Sequence, residues 1–227
     1  MKALVLFSGG LDSTTCLALA VDKYGADNVI ALSVAYGQKH LKEIEAAQKI
    51  ADYYKVKLVN LDLSEIFKDS TCTLLNGRGD IPHEEYSEQL KHTDGNPVST
   101  YVPFRNGLFL SSAAAIALSY DCEVIYYGAH ADDAAGNAYP DTSVAFNNAI
   151  NEAIYIGSGN KLKVYGPFIS SSKADVVKCG LELGVPYELT WSCYEGHDKA
   201  CGVCGTCIDR RNAFRLNNIE DPIEYEV

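Results

Sequence analysis

Seven residues near the amino terminus have the composition of a phosphate-binding loop. They read Ser8-Gly9-Gly10-Leu11-Asp12-Ser13-Thr14 and follow an apolar run over residues 3–7. Glycines let the backbone turn tightly and approach a ligand, and the amides at a helix start attract anions. The Lys-Ser/Thr pair of a Walker loop and the third glycine of a dinucleotide fingerprint are both missing. We therefore predict a phosphate loop of another type, with a plain glycine-rich turn as the alternative.

Four of the eight cysteines crowd near the carboxyl terminus at spacings typical of a metal site. Cys193, Cys201, Cys204 and Cys207 are separated by seven, two and two residues. Two-residue spacings let consecutive thiolates face one ion, and four thiolates complete the shell of a structural zinc site. The same ligands can hold an iron–sulfur cluster, and four ordinary thiols are the remaining alternative. We predict one structural Zn²⁺ with no open coordination position and no part in the chemistry.

Apolar runs that alternate with helical patterns must position these two motifs. The runs cover residues 3–7, 29–36, 57–62, 124–128 and 163–165. Helical patterns end near residues 24, 54, 120, 156 and 183, and Asp12 or Ser13 is predicted to cap the first helix. Such alternation predicts a doubly wound, Rossmann-like α/β fold, in which helices cover both faces of a parallel five-stranded sheet. Ligands of such sheets bind at the carboxyl ends of the strands.

Burial and domain organisation can also be predicted. In the second helix, we expect Leu41, Ile44, Ala47 and Ala51 to face the core. The third helix is almost wholly apolar over residues 113–118, which predicts burial on more than one side. Residues 70–100 break the alternation and are predicted to form a long loop or lid. We place the α/β domain at residues 1–190 and a metal-binding segment with a helix at 191–227.

The charge of the chain limits its partners. Its 227 residues include 30 acidic and 19 basic side chains, which give a formal net charge of −11. Proteins that neutralise many phosphates usually have a basic surface, so we expect neither nucleic acid nor a membrane as partner. The first apolar run is too short for a secretory signal or a membrane span. We expect a cytoplasmic protein, in which clustered cysteines favour a metal over disulfides.

The string Ser-Gly-Gly-Leu-Asp-Ser resembles the pyrophosphate loop of the N-type ATP pyrophosphatases, the PP-loop superfamily. These enzymes cleave ATP to AMP and pyrophosphate. The resemblance implies an adenine nucleotide alpha hydrolase-like fold and ATP as a substrate. It further implies phosphate contacts from the loop residues Ser8, Gly9, Gly10, Leu11, Asp12, Ser13 and Thr14. Mg²⁺ bound with the ATP is implied as well, because the loop has no lysine to offset the phosphate charge.

Further strings resemble the 7-cyano-7-deazaguanine synthase family of queuosine biosynthesis. They are Tyr36-Gly37-Gln38-Lys39-His40, Val102-Pro103-Phe104-Arg105-Asn106, Tyr139-Pro140-Asp141, Gly166-Pro167-Phe168, Lys173-Ala174-Asp175 and Thr190-Trp191-Ser192-Cys193-Tyr194. Together with the phosphate loop they span nearly the whole chain. Phe104 is a departure, since the family usually has glycine there, whereas Arg105 and Asn106 follow the family pattern.

The resemblance implies a ligase that forms C–N bonds and produces 7-cyano-7-deazaguanine (preQ0). The substrates would be 7-carboxy-7-deazaguanine, ammonia and ATP, and two successive adenylations would turn the acid into the amide and then the nitrile. A homodimer is also implied. No glutaminase domain fits beside a complete adenylation fold in this length, so we expect free ammonia or a separate supplier.

Four residues are our candidates for catalysis: Asp12 and Ser13 of the loop, Lys173 and Arg105. Lys173 would neutralise phosphate charge, and the alternative is a solvated lysine near a helix start. Arg105 would bind a phosphate or the substrate carboxylate through its planar fork, and the alternative is a surface ion pair.

Other polar residues have roles that the sequence leaves open. Asp132, Asp133 and Asp141 follow the fourth strand and either bind magnesium or the base, or serve as turn residues and caps. Tyr36 and Gln38 either contact the adenine or the substrate, or serve packing.

Two other functions stay open. The first is a tRNA-modifying PP-loop adenylase of the thiolation type, with an iron–sulfur or zinc site. The net charge weighs against this function, because tRNA is a polyanion. The second is a regulatory nucleotide-binding module without catalysis, which the many polar strings after successive strands disfavour.

Overall fold

The computed structural model describes residues 1–39 and 41–227, so His40 of the first quoted string lies outside the described residues. Five strands form one all-parallel sheet in the spatial order β3-β2-β1-β4-β5. They are β1 (Ala3–Leu6), β2 (Val29–Ala35), β3 (Lys57–Asp62), β4 (Val124–Tyr126) and β5 (Lys163–Tyr165). The strand order reverses between β1 and β4, where sheets of this kind open a ligand crevice at their carboxyl edge.

Helices cover both faces of the sheet, as predicted. In the described residues they are α1 (Leu11–Tyr24), α2 (Lys42–Tyr54), α3 (Tyr86–Leu90), α4 (Arg105–Ser119), α5 (Ala131–Ala134), α6 (Val144–Gly157), α7 (Lys173–Glu182) and α8 (Gly205–Leu216). One face is packed by α1, α2, α7 and α8, and the other by α4 and α6. Across the described part of the chain, no helix combines the length and apolar character needed to cross a membrane.

The central strand β1 shows why the apolar runs give this architecture. All four of its residues are buried. Ala3 and Val5 pack into the core under α1 and α7, whereas Leu4 and Leu6 pack under α4 on the opposite face. A strand without a polar side chain is stable only between two layers of helices, so the run itself specifies a doubly covered sheet.

The start of α1 differs from the prediction. Gly10 is the N-cap and offers no side chain, so the predicted cap by Asp12 or Ser13 is wrong. The Ser13 hydroxyl donates instead to the Gly10 carbonyl at 3.2 Å, inside the first turn. The helix therefore begins directly after the two glycines, and its first turn belongs to the loop.

The buried faces of α2 and α4 also differ from the prediction. Leu41 precedes α2 and is 65% exposed, whereas the buried residues of that helix are Ala46, Ala47, Ile50 and Ala51. Helix α4 is buried on one side only. Ala113 and Ala117 face the sheet, while Ala115 and Leu118 are exposed. An apolar surface of α4 is thus uncovered in the single chain.

The segment 70–100 contains one short helix, α3, which the sequence did not predict, between turns. Leu74, Leu75 and Ile81 are buried in the same cluster as the four clustered cysteines. Tyr86 of α3 lies at the pocket described below, with its hydroxyl 2.9 Å from that of Tyr194. The segment is therefore packed on the body of the protein, while the domain division at residue 190 stays a prediction.

A buried arginine joins α8 to the rest of the carboxyl-terminal segment. Arg210 is fully buried and donates from Nε to Asp221 Oδ2 at 2.8 Å and from Nη2 to Asp221 Oδ1 at 3.0 Å. Its Nη1 donates to Thr190 Oγ1 at 2.7 Å, and its Nη2 donates to the Tyr187 carbonyl at 3.1 Å. One side chain thus connects the helix, the loop before the cysteine cluster and the tail.

Replacing Arg210 by alanine is expected to lower the free energy of unfolding by about 3–5 kcal/mol, because the Asp221 carboxylate would stay buried without its partner. Urea unfolding measures this change. The control is Arg211→Ala on the same helix, whose exposed side chain contacts the chain terminus and whose loss should cost about 1 kcal/mol or less. Equal costs for the two variants would contradict the assignment of Arg210 as a structural link.

Candidate functional site

A pocket opens at the carboxyl edge of the sheet, where β1, β2 and β4 end. The phosphate-type loop forms its floor. Gly9 has a φ of +83°, and a Cβ there would lie 2.5 Å from the Ala47 nitrogen and 2.6 Å from the Glu43 carbonyl oxygen of α2. Only glycine fits this position, since both neighbours are backbone atoms. The loop is therefore pressed directly against the first turns of α2.

Hydroxyl groups hold the loop in shape. The Ser8 amide donates to Ser13 Oγ at 3.2 Å, and the Gly10 amide donates to Ser8 Oγ at 3.2 Å. Thr14 Oγ1 donates to the Gly10 carbonyl at 2.7 Å. The first amides of α1 have no intrahelical partner, and they form the positive end of the helix dipole. The arrangement suits an anion with several oxygens.

A buried lysine stands beside the loop. Lys173, the first residue of α7, is 7% exposed, and its Nζ lies 3.4 Å from Asp12 Oδ2. Burial acts to lower the pKa of Lys173, but the carboxylates of Asp12, Asp133 and Asp209 outweigh it and raise that pKa. Lys173 is thus a permanent cation at the loop, and the alternative of a solvated lysine is wrong.

A buried histidine links the loop to the residues after β4. His130 is fully buried, and its Nε2 lies 3.4 Å from Asp133 Oδ1 and 3.7 Å from Asp12 Oδ1. Neither ring nitrogen has a hydrogen-bond partner in residues 1–39 and 41–227, and the same holds for Asp12 Oδ1. Burial also raises the pKa of Asp209 to about 6, with Lys173 opposing the rise. Polar atoms without hydrogen-bond partners in the described residues therefore converge on the loop.

Aromatic and charged side chains line the other half of the pocket. Arg105, the first residue of α4, lies with its guanidinium carbon 5.1 Å from the centre of the Tyr36 ring. The Tyr36 and Phe109 rings are 5.8 Å apart. Glu43 of α2 and Trp191 complete this part of the wall. Arg105 forms no ion pair in the described residues, so the predicted alternative of a surface ion pair is wrong.

Two of the three aspartates with open roles act as caps. Asp141 Oδ2 accepts from the Asn106 amide at 2.8 Å, at the start of α4, and Asp132 Oδ2 accepts from the Lys173 amide at 2.7 Å, at the start of α7. Asp133 instead lines the pocket. Gln38 also lines the pocket, and its side-chain oxygen accepts from the Tyr36 amide at 2.9 Å.

The backbone at Phe104 explains why glycine is usual at that position. Phe104 has a φ of +54°, in the left-handed region that side chains rarely adopt. Its ring packs over Gly107, where a Cβ would lie 2.4 Å from the ring, and it meets the Phe146 ring edge-on at 6.0 Å. This chain therefore accommodates a side chain at the strained position by placing it on the outer side of α4 and α6.

The four clustered cysteines converge as predicted. The Sγ atoms of Cys193, Cys201, Cys204 and Cys207 lie within 4.8 Å of one another, and all four residues are buried. The Cys201 and Glu195 amides donate to Cys193 Sγ at 3.3 and 3.4 Å. Such donors stabilise thiolates over thiols, as a metal site requires. The cluster can hold a metal ion.

No role was predicted for Glu43, which lines the pocket, or for His130, which lies behind the loop beside Asp12. Glu43 lies on α2 in line with Ala47 and Ile50, at helical spacings of four and seven residues, so its position on the buried face was a readable signal. His130 had no comparable signal. It follows a short strand, and only the tertiary structure brings it to Asp12.

The structure defines a Rossmann-like α/β protein with a phosphate-type loop after β1 and a four-cysteine cluster suited to a metal. Residues 2–218 match the family described as "Queuosine biosynthesis protein QueC". The chain belongs to this family, as the resemblance predicted.

Individual relatives agree over almost the whole chain. A protein of Archaeoglobus fulgidus named 7-cyano-7-deazaguanine synthase is 42% identical over 224 residues, which cover 98% of this chain and 90% of the relative. A protein of Caldicellulosiruptor bescii with the same name is 40% identical over 227 residues, covering 100% of this chain and 98% of the relative. These relatives are named as enzymes.

A solved structure shares the fold. The U34-tRNA thiolase NcsA from Methanococcus maripaludis, with its [4Fe-4S] cluster, superposes with a TM-score of 0.53 at 17% identity. The match covers 100% of this chain and 74% of that one. At such low identity the similarity shows the fold alone, and it agrees with the predicted Rossmann-like α/β architecture.

Proposed function

We propose that this chain converts 7-carboxy-7-deazaguanine, ammonia and ATP into 7-cyano-7-deazaguanine, with release of AMP and pyrophosphate. The observation that carries the proposal is its membership of the QueC family, with relatives named as synthases that match nearly end to end. The pocket supports it, because a phosphate-type loop and a wall of aromatic side chains share one crevice. We place the reaction in the cytoplasm, where ATP is available.

The reaction proceeds in four steps. A substrate carboxylate oxygen attacks the α-phosphorus of ATP, and pyrophosphate leaves. Ammonia then attacks the acyl carbon, AMP leaves and one proton is lost, which gives the amide. The amide oxygen attacks a second ATP, pyrophosphate leaves again, and loss of AMP and protons forms the nitrile. Each adenylation turns an oxygen that cannot leave into a phosphate ester that can.

The residues of the loop serve both adenylations in this proposal. Ser8 to Thr14 hold the phosphates that become pyrophosphate, and Lys173 neutralises the charge that develops on them. Asp12 Oδ1 is buried without a hydrogen-bond partner in the described residues, and it is an acceptor of the kind Mg²⁺ prefers. Mg²⁺ bound there would offset phosphate charge. Free ammonia, or ammonia from a separate supplier, is the nitrogen donor.

We propose zinc as the metal of the cysteine cluster. Thiolates around a single zinc ion, with Zn–S distances of about 2.3 Å, lie about 3.8 Å from one another. The four Sγ atoms approach this spacing, since all lie within 4.8 Å and Cys201 and Cys207 are 4.0 Å apart. In a four-iron cluster each thiolate binds a different iron, which separates the sulfurs further. The compact arrangement supports one ion.

Removal of this metal is expected to unfold the carboxyl-terminal segment. Cys204→Ser should reduce the zinc content and lower the unfolding temperature by roughly 10 °C or more, because the ligand bonds contribute directly to folding. Elemental analysis and calorimetry measure the two effects. Cys179→Ser, at a lone and partly exposed cysteine, is the control. Iron with acid-labile sulfide in the purified protein would refute zinc and favour the thiolation alternative.

We propose that the chain forms a homodimer through the outer side of α4 and α6. In α6 only Ile154 is buried, although the helix is mostly apolar. Leu118, Val144 and Ile156 are exposed, and Glu152 and Arg105 are the only charged residues of the two helices. Because two chains of net charge −11 repel each other, a face with so little charge suits self-association. Sedimentation of Ile156→Glu should show a monomer, while Ile66→Glu, at an exposed isoleucine elsewhere, should behave as the wild type.

The proposed reaction has a direct test. Purified protein with ATP, Mg²⁺, ammonium and 7-carboxy-7-deazaguanine should release AMP, pyrophosphate and the nitrile, with two AMP per nitrile. Chromatography and mass spectrometry follow all products. Release of ADP and phosphate would refute adenylation, and adenylation of tRNA without turnover of the free base would favour the alternative function.

A further inference from the structure

Glu43 has an unusual place for a carboxylate. It lies in the first turn of α2 and lines the pocket next to the phosphate loop. Within residues 1–39 and 41–227, no group donates a hydrogen bond to its side chain, and no cation lies within ion-pair distance. Burial raises the pKa of Glu43 to about 7, and the positive charge of Arg105 opposes the rise. A carboxylate held in this way lacks the donors that would compensate for its burial.

Arg105 has the complementary deficit. Its guanidinium lines the same pocket and stacks on Tyr36, yet it contacts no carboxylate in the described part of the chain. Glu43 lines the same pocket, where the positive charge of Arg105 acts on its carboxylate. One half of the pocket therefore presents a guanidinium, of which the Tyr36 side chain engages only a part, beside a carboxylate without a donor in the described residues.

This pair matches the edge of a guanine-like ring. Such a ring offers a carbonyl oxygen beside a ring N–H and an amino group. A protein that binds this edge therefore needs a donor for the carbonyl oxygen and a group with two acceptor oxygens for the two N–H donors. An adenine edge offers an amino group beside a bare nitrogen, and it would leave donors or acceptors of the pair unmatched. The pair thus distinguishes the two bases that the proposed reaction brings into one enzyme.

We propose that Glu43 and Arg105 recognise the base of the deazaguanine substrate, with Glu43 accepting from its ring N–H and 2-amino group and Arg105 donating to its carbonyl oxygen. The assignment rests on the proposed function. Tyr36 and Phe109 supply aromatic surface for the ring system. Since the Glu43 backbone touches Gly9 of the loop, the base site adjoins the phosphate site, as adenylation of a group on the base demands.

The first test removes one hydrogen-bonding group from each partner. We would measure KM and kcat for 7-carboxy-7-deazaguanine and for its analogue without the 2-amino group, with the wild type and Glu43→Gln. For the wild type, loss of the amino group should raise KM about 10- to 100-fold. For Glu43→Gln, KM for the full substrate should rise by a similar factor, and the penalty for the analogue should shrink to about threefold. The KM for ATP should not change.

Controls separate recognition from stability. Glu45→Gln, at an exposed glutamate two residues further along α2, should keep wild-type KM values for both bases. In the described residues the titratable groups that act on Glu43 are Arg105 and Tyr36, so there Arg105 is the cation that offsets its charge at pH 8. Glu43→Gln should therefore raise the unfolding temperature of the ligand-free protein at pH 8. A lower unfolding temperature would indicate a structural carboxylate and overturn the proposal.

The second test distinguishes the base from the carboxylate as the partner of Arg105. Binding of 7-deazaguanine, which has no carboxylate, can be followed by the fluorescence of the single tryptophan, Trp191, in the pocket wall. Arg105→Gln should weaken this binding about 10-fold or more. Weakening of the carboxylated compound alone would overturn the assignment of Arg105 to the base.

The outcomes for the base site and for the reaction are distinguishable. Unchanged selectivity for the 2-amino group in Glu43→Gln, with normal nitrile formation by the wild type, would refute the base site and leave the function intact. Absence of AMP and nitrile with the wild type would refute the function itself. Binding of 7-deazaguanine that depends on both Glu43 and Arg105 would still support the base site in that case.

Discussion

Gly9→Ala is expected to reduce kcat/KM for nitrile formation by at least about 100-fold, because the proposed phosphate loop would shift relative to the proposed base site. The added Cβ would meet the Ala47 nitrogen and the Glu43 carbonyl oxygen, both at 2.6 Å or less. Backbone atoms of a helix cannot rotate away as a side chain can, so either α2 or the loop must shift. The variant should also lose about 1–3 kcal/mol of folding free energy, from the clash and from the positive φ.

Gly25→Ala provides a matched control for the backbone strain. Gly25 has a φ of +77°, similar to that of Gly9, but a Cβ there would have no atom within 4 Å. This variant should lose about 1–3 kcal/mol of stability, because its φ of 77° and ψ of 148° suit glycine, and it should keep the activity of the wild type. Steady-state kinetics and urea unfolding of both variants separate the strain from the clash. If Gly9→Ala stayed within threefold of Gly25→Ala in kcat/KM, the close contact of loop and helix would not matter for function.

The fold could be predicted from sequence where the determinants are local. Residues 3–7 form a continuous apolar run, which is stable only as a strand covered on both faces, and β1 is such a strand. The cysteine cluster is also local, because three of its ligands lie within seven residues at spacings that reach one ion. Both features follow from short stretches of chain, and the structure agrees with both predictions.

The buried face of α2 shows where local patterns fail. The predicted buried face began at Leu41 and continued through Ala47 and Ala51. Glu43 was not part of it. In the structure Leu41 is exposed, and the face runs through Ala47 and Ile50. Glu43 lies on that line, at the end of α2 that meets the phosphate loop. Leu41 was misleading because hydrophobicity alone suggests burial, whereas in the structure the backbone of Glu43 and Ala47 is the part of α2 that lies against Gly9.

Asp12 and Lys173 were predicted as site residues from the family resemblance, but their contacts with each other and with His130 could not be predicted, because the three come from distant parts of the chain. Asp12, His130 and Lys173 follow different strands. The strand order brings the Asp12 carboxylate within 4 Å of both the His130 ring and the Lys173 ammonium group. Each residue alone resembles an ordinary turn or helix-start residue. The sheet topology supplies the information that the local sequence lacks.

Lys173→Met is expected to lower kcat by about 100- to 1,000-fold, since in the proposed reaction it removes a preorganised charge from the site where negative charge develops as pyrophosphate leaves. The lysine lies with Nζ 3.4 Å from Asp12 Oδ2 and is almost completely buried, so bulk water cannot replace it. The KM for the base should change much less, because Glu43 and Arg105 line another part of the pocket. Single-turnover release of AMP, measured at a temperature where both proteins are folded, reports the chemical step.

The control is Lys178→Met, which removes an exposed lysine from the same helix and should leave kcat unchanged. Lys173→Arg restores the charge but not the compact ammonium group, so we expect it to recover only part of the activity. Lys173→Met also leaves the carboxylates of Asp12, Asp133 and Asp209 without their shared cation, which should destabilise the ligand-free protein above pH 6 and less below it, where Asp209 takes up a proton. Loss of stability without loss of single-turnover rate would show that the lysine holds the site together and takes no part in catalysis.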